Sequence, residues 1–320
     1  MNTLGIGASL FRLATKQKAF IAILVMLVIM VFSGTEFYTA YNLLDMLNST
    51  SILLILAFGV TLTIISGGCD LSIGGILVVS GILAIKLMDY MALSWAIFLA
   101  VLFGAVVGAI NGFLVVHQRT EPFIITLGTG FLLTGVAQQL TNAHPVPAKN
   151  PAFMMIGNGT VHGIPNLVII TVVLFVLFFW LMRYTQFGRN LYAIGGDYEV
   201  ALYSGINVIR TKWLAFVISG AAAGLAGVLL SAKLNTGSSI YGELTALVVN
   251  CGVVVGGTSF AGGIGGIPQS ALGLLVFGML DNVMNMLTIT SYIQVLLKGA
   301  VIVAIIWLDC FGQKRRRETV

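Results

Sequence analysis

Charge is what this chain lacks. Of its 320 residues only 8% are charged, 11 acidic and 16 basic, whereas 58% are hydrophobic and the mean hydropathy is +1.03. A soluble globular protein carries about 25% charged residues. A fold with an ordinary water-facing surface is therefore excluded, and an integral membrane protein is implied. The net charge of +5 does not point to nucleic acid, because the cations sit at segment ends and form no patch interleaved with aromatics. Cysteine is scarce as well. Cys69, Cys251 and Cys310 are odd in number and have no metal-ligand spacing, which argues against a disulfide framework or a zinc site. They read as small buried residues. His117, His144 and His162 have no i, i+4 partner, so no metal site is expected. No Ser/His/Asp or Cys/His arrangement stands out. Neither enzyme activity nor a cofactor is expected of this chain.

Long apolar runs are what it has. Uncharged windows of bilayer length, about 17 to 25 residues, cover 19–35, 47–67, 93–116, 122–141, 165–182, 213–232, 268–287 and 291–308. Shorter or interrupted segments lie at 71–88 and 244–260. The expectation is an all-α polytopic membrane protein of about ten transmembrane helices, one or two of them broken or re-entrant. A single transmembrane domain, 1–320, accounts for everything. The run from Ala19 to Thr35 follows Arg12, Lys16 and Lys18; its length and the lack of a clear A-x-A site favour an uncleaved first span over a signal peptide. With the N-terminus inside and ten alternating spans, twelve of the sixteen Lys and Arg fall on the inner side. That bias places both termini, the 183–212 loop and the basic tail 313–320 in the cytosol, and the 142–164 loop outside.

Glycine is abundant, 38 residues where an average chain of this length has about 22. Gly104, Gly108 and Gly112 recur every fourth residue, and Gly220, Gly224 and Gly227 make a similar face. Such ridges let helices approach closely. The run Ser66-Gly67-Gly68-Cys69-Asp70-Leu71-Ser72-Ile73-Gly74-Gly75 interrupts an apolar stretch. Two readings are open there: an unwound helix lining a substrate or ion path, with Asp70 capping the second half-helix, or a tight turn between two spans. The run Gly256-Gly257-Thr258-Ser259-Phe260-Ala261-Gly262-Gly263-Ile264-Gly265-Gly266 is not a phosphate loop, since no Lys or Arg lies between 234 and 297 and a Walker A motif needs a lysine. It reads as a re-entrant or hinge segment. Asp281 and Lys298 are the deepest charges, with Asn282 and Asn285 beside Asp281. Either they pair or line a polar pathway, or Asp281 meets water near the outer end of its span; the second reading is slightly preferred.

The longest polar stretch is 188–212. It reads as a Gly-rich turn, a two-turn helix begun by Asp197 and ended by Gly205, and basic residues at both ends. A helix that short needs packing to persist, so it lies flat on the bilayer or docks a soluble subunit.

At this point the chain resembles the permease subunits of bacterial ABC importers for monosaccharides of the ribose, xylose and galactose type. The resemblance rests on Asp70-Leu71-Ser72-Ile73-Gly74, Asn111-Gly112-Phe113-Leu114, Pro122-Phe123-Ile124-Ile125-Thr126-Leu127-Gly128-Thr129, Gly188-Arg189 through Ala193-Ile194-Gly195-Gly196, Ser204-Gly205-Ile206-Asn207-Val208, Ser219-Gly220, and Gly256-Gly257-Thr258-Ser259 with Gly262-Gly263, in order from about residue 45 to 305. It implies a bacterial inner-membrane subunit that dimerises with a second permease copy or paralogue, with separate cytosolic ATPase subunits below and a periplasmic sugar-binding protein above. It also implies that Gly195, Gly196, Asp197, Glu199, Ala201, Ser204 and Gly205 belong to an ATPase-coupling segment. The chain departs from the family pattern at Asp197, at Val248-Val249-Asn250-Cys251, at Ile264 and at Gln269. The translocation path is expected near Asp70, Asn111, Phe123, Thr126, Asp281, Asn282 and Lys298. The alternative is a self-contained ion-coupled carrier using Asp70, Asp281 and Lys298.

Overall fold

The structure, a computed structural model, describes residues 35–301 and residue 303. The tail 313–320 and all but the last residue of the expected first span lie outside them. Helices dominate: α1 (Ala40–Ile65), α2 (Ile73–Leu87), α3 (Leu93–His117), α4 (Pro122–Thr141), α5 (Pro151–Asn158), α6 (Asn166–Tyr184), α7 (Gln186–Gly196), α8 (Tyr198–Tyr203), α9 (Val208–Leu234), α10 (Gly242–Val255) and α11 (Ile267–Met286). Residues 291–301 are helical as well. Among the described residues, α1, α3, α4, α6, α9 and α11 are long and apolar enough to cross a membrane, whereas α2 and α10 are shorter. In hydrocarbon every backbone polar group needs an internal partner, and helices provide it.

Helix starts follow caps rather than charge. Thr39 accepts from the Asn42 N–H and starts α1 at residue 40, seven residues before the uncharged window opens, because Asp45 interrupts the window and not the helix. Asn207 accepts from the Arg210 N–H at 2.9 Å and starts α9 at 208, with Arg210 and Lys212 inside its first two turns.

Helices α1, α2 and α9 form the buried centre, and α3 runs along α9. The α3–α9 contact is the glycine ridge read from the sequence. A Cβ on Gly104 would overlap the Gly220 carbonyl, and one on Gly220 would overlap the Gly104 carbonyl. Gly59 meets Ser219 and Ala222, while the Lys233 amine bonds the Asn48 carbonyl at 3.2 Å, so α1 runs antiparallel to α9. Gly81 meets Ser231 and Gly227 meets Leu77, so α2 runs parallel to it.

The chain therefore reverses between α1 and α2, and it does so inside the bundle. Residues 66–72 are irregular, yet the Asp70 carboxylate reaches Ser219, about 16 Å along α9 from its start at 1.5 Å per residue. Of the two readings of the 66–75 run, the structure shows the turn between two helices, with irregular backbone inside the bundle and covered by protein. The run 256–266 is a second reversal, joining α10 to α11. The Gly263 N–H donates to the Ile65 carbonyl at 2.9 Å, so the two reversals touch. At the opposite end β1 (Val146–Pro147) pairs with β4 (Thr236–Gly237), and β2 (Thr160–Val161) with β3 (Ile164–Pro165). His162 and Gly163 turn that hairpin with φ of 51° and 83°, the two positive values of a type I′ turn.

Candidate translocation and docking sites

Asp70 is fully buried. Its Oδ1 accepts from the Ser72 N–H at 3.1 Å and the Ser72 hydroxyl at 2.6 Å; its Oδ2 accepts from the Ser219 hydroxyl at 2.8 Å. The expected cap on the helix is not made: the carboxylate takes the N–H of Ser72, which lies before the first helical residue, and no side chain caps α2. Ser72 is the N-cap position, but its backbone is already helical (φ −71°, ψ −16°) and its side chain makes no cap bond; the hydroxyl donates to Asp70 instead. The chain of bonds continues: the Asn111 amide donates to Ser72 Oγ at 2.9 Å, and the Thr129 hydroxyl to Asn111 Oδ1 at 2.7 Å. Thr126 Oγ1 accepts from the Leu71 N–H at 3.0 Å, and the Asn250 amide donates to the Asp70 carbonyl at 3.0 Å. One polar node therefore joins the first reversal to α2, α3, α4, α9 and α10. In a dry interior such a network is strong when every member is satisfied.

Three of the seven expected path residues, Asp70, Asn111 and Thr126, meet in this node. Phe123 reaches it only through its backbone carbonyl, 3.5 Å from the Thr126 hydroxyl, and the residue is 52% exposed on α4. The other three form a second cluster. Lys298 lies 2.7 Å from Asp281, which corrects the preference for an Asp281 that simply meets water. The physical reason is helix placement: the turn after α11 folds the 291–301 helix back beside it, and the Gln294 amide bonds Asn285 Oδ1 at 2.9 Å one turn before Lys298. Asn282 and Asn42 exchange amide bonds of 2.9 and 3.1 Å between α11 and α1. Asp281, Asn282 and Asn285 line a cavity of about 60 Å³ together with Asp45 and Ser49. Ser72, Thr129, Ser219 and Asn250 were not among the expected site residues, nor were Asn42 and Asp45. The available signal was polarity inside apolar segments, which in membranes marks function or a hydrogen-bond partner.

The 188–212 segment differs from its expectation in one respect. The Gly-rich stretch is no turn: α7 runs through Gly196, capped by the Thr185 hydroxyl. Gly195 is there for close approach, since a Cβ would overlap the Ile65 carbonyl oxygen. The short helix α8 lies where the sequence put it. Asp197 Oδ1 accepts from the Val200 N–H at 3.0 Å, and Gly205 follows with φ of +77°. Ala201 is buried against Ile194 and Val208, with Ile206 packed beside them. That contact holds α8 in place. Tyr198, Val200, Leu202 and Tyr203 face outward, Tyr203 being 85% exposed; Gly196, Glu199 and Ser204 are exposed too. Tyr192 of α7 points inward, and its hydroxyl donates to the Gly265 carbonyl at 2.9 Å. Burial raises its pKa above the usual phenol value, with Arg183 pulling the other way, so the proton needed for this bond stays on the oxygen.

The family described as branched-chain amino acid transport system / permease component matches residues 42–306. The ribose import permease protein of Haemophilus influenzae is 33% identical over 95% of this chain and 96% of its own length. That of Bacillus subtilis is 36% identical over 92% of each. The D-allose transport system permease protein of Escherichia coli is 35% identical over 87% of this chain and 86% of its own. No solved structure gives a significant match. The match spans both polar clusters and the α7–α8 segment, in a multi-pass helical chain, and on that footing the protein belongs to this family of membrane permease components of transport systems.

Proposed function

We propose that this chain is the membrane-spanning subunit of an ATP-driven importer that carries a monosaccharide or a similar small polar solute into the bacterial cytoplasm. The observation that carries the reading is α8, a capped two-turn helix that buries Ala201 and presents Tyr198, Val200, Leu202 and Tyr203 outward. An apolar face of that size on a polar segment calls for a partner. The relatives' names supply the kind of system: permease proteins for ribose and allose. The chain has no Walker A lysine motif, so ATP hydrolysis belongs to separate chains docked on α8, with both termini and 183–212 cytosolic. Two permease chains would form the path, and a periplasmic binding protein would deliver the sugar. The solute route runs past Asp281, Asn282 and Lys298, and the Asp70 node holds the helices that open and close. The comparisons favour this reading over an ion-coupled carrier. The test is uptake of labelled ribose, allose and arabinose into proteoliposomes holding this chain with the ATPase and periplasmic binding protein of a sugar importer from the same organism. ATP-dependent accumulation is expected; uptake by the chain alone on a proton or sodium gradient would overturn the reading.

A further inference from the structure

Helix α7 packs through Gly195 on Ile65, where α1 enters the first reversal, and on Gly263 of the second, and it continues into α8. Asp197 joins the two helices in a single residue: its N–H donates to the Ala193 carbonyl of α7 at 3.1 Å, and its carboxylate caps α8. Ile194, Ala201 and Val208 lock α7, α8 and the start of α9 into one apolar cluster. A push on α8 is therefore a push on α7.

On its inner side α7 offers two contacts. Gly195 sits backbone to backbone on Ile65 and on Gly263, with no room for a methyl group. Three residues earlier, about 4.5 Å along the helix, the Tyr192 hydroxyl holds the Gly265 carbonyl. Among the described residues, two hydrogen bonds tie the 256–266 run to anything outside the α10–α11 hairpin: Gly263 N–H to Ile65 and Tyr192 to Gly265. The run takes positive φ at Gly257, Gly262, Gly263 and Gly265 and carries no charge. Downstream, α10 carries Asn250, which bonds the Asp70 node, and α11 carries Asp281 and Asn282. Gly195 is then a pivot and Tyr192 a lever.

We propose that Tyr192 is the positioning residue that passes movement of the docked α8 into the 256–266 reversal, and through α10 and α11 to both polar clusters. The proposal rests on the docking function of α8. Its test is Tyr192→Phe, which removes one oxygen and keeps the ring packing. The variant is reconstituted with the ATPase and binding protein. Assembled complex, thermal midpoint, ATP hydrolysis and sugar uptake are measured on the same preparation. Assembly and thermal midpoint are expected to match wild type, as is the KM for the loaded binding protein. Uptake per ATP hydrolysed should fall about 3- to 10-fold, the effect of one net hydrogen bond lost from the moved state. A wild-type ratio of uptake to hydrolysis overturns the proposal. So does loss of assembly, or a parallel fall in every readout, since either would make Tyr192 an ordinary packing or docking residue. A wild-type chain that recruits no ATPase would instead overturn the importer reading before any variant is compared.

Discussion

Asp281 and Lys298 stand 2.7 Å apart, side chains about one quarter to one third exposed, on α11 and the helix that follows it. An isolated charge there would be costly, and its partner removes most of that cost. Asp281→Asn or Lys298→Met alone should destabilise the protein by about 1–3 kcal/mol, below the range for fully buried pairs. The double variant should lose less than the sum, and the charge swap should recover most of the loss. Thermal midpoints in detergent give the comparison. Strict additivity would mean that the two charges are each solvated and do not interact.

A sharper loss is expected at Asp70. Asp70→Ala leaves the Ser72 N–H and two hydroxyls without their acceptor in a fully buried node. Each unsatisfied group costs about 1–3 kcal/mol, so the variant should fail to accumulate in the membrane. Asp70→Asn keeps one oxygen for Ser72, and the Ser219 hydroxyl can turn to accept from the amide. It should insert and be only mildly destabilised. Equal behaviour of the two variants, read by membrane yield and thermal midpoint, would argue that the carboxylate is not what holds the node.

Glycine position separates packing from exposure. Gly104→Ala drives a methyl into the Gly220 carbonyl at the α3–α9 contact, whereas Gly128→Ala on α4 meets nothing within 4 Å. The first should cost about 1–3 kcal/mol or more, and the second should be neutral in stability. Midpoints that fall together would show that α3 and α9 can part without cost.

Much of this was legible beforehand, and the reasons are physical. Missing charge identified the membrane class, and a four-residue glycine repeat is readable because 3.6 residues per turn puts those residues on one face. Asp197 and Gly205 announced α8 because caps are local chemistry. What stayed hidden was long-range. Nothing near Asp70 in the sequence points to Ser219, Asn111 or Asn250; only the reversal at depth brings them together. Gly195-Gly196 looks like a turn because glycine serves both turns and close approach, and the deciding neighbour, Ile65, is 130 residues away. The Asp281–Lys298 pair depended on the angle at which the chain returns after Met286.

The exposed face of α8, proposed as the ATPase dock, permits variants that spare the fold. Tyr203 is 85% exposed, and it is absent from the cluster in which Ala201 holds the helix down. Tyr203→Asp should leave membrane insertion and thermal midpoint unchanged, yet weaken ATPase recruitment by tenfold or more, the scale for an aromatic anchor at an interface. Glu199→Lys reverses the one charge on the same exposed helix and should act in the same direction. Gly205→Pro works differently: φ is +77° there, proline is held near −65°, and the turn from α8 into α9 must deform. That variant should lose both recruitment and coupled uptake while the spans still insert. Pull-down of the ATPase on the purified permease separates the cases. Full recruitment by Tyr203→Asp and Glu199→Lys, with ATP-driven uptake intact, would remove α8 from the coupling route and leave its apolar face to the bilayer surface.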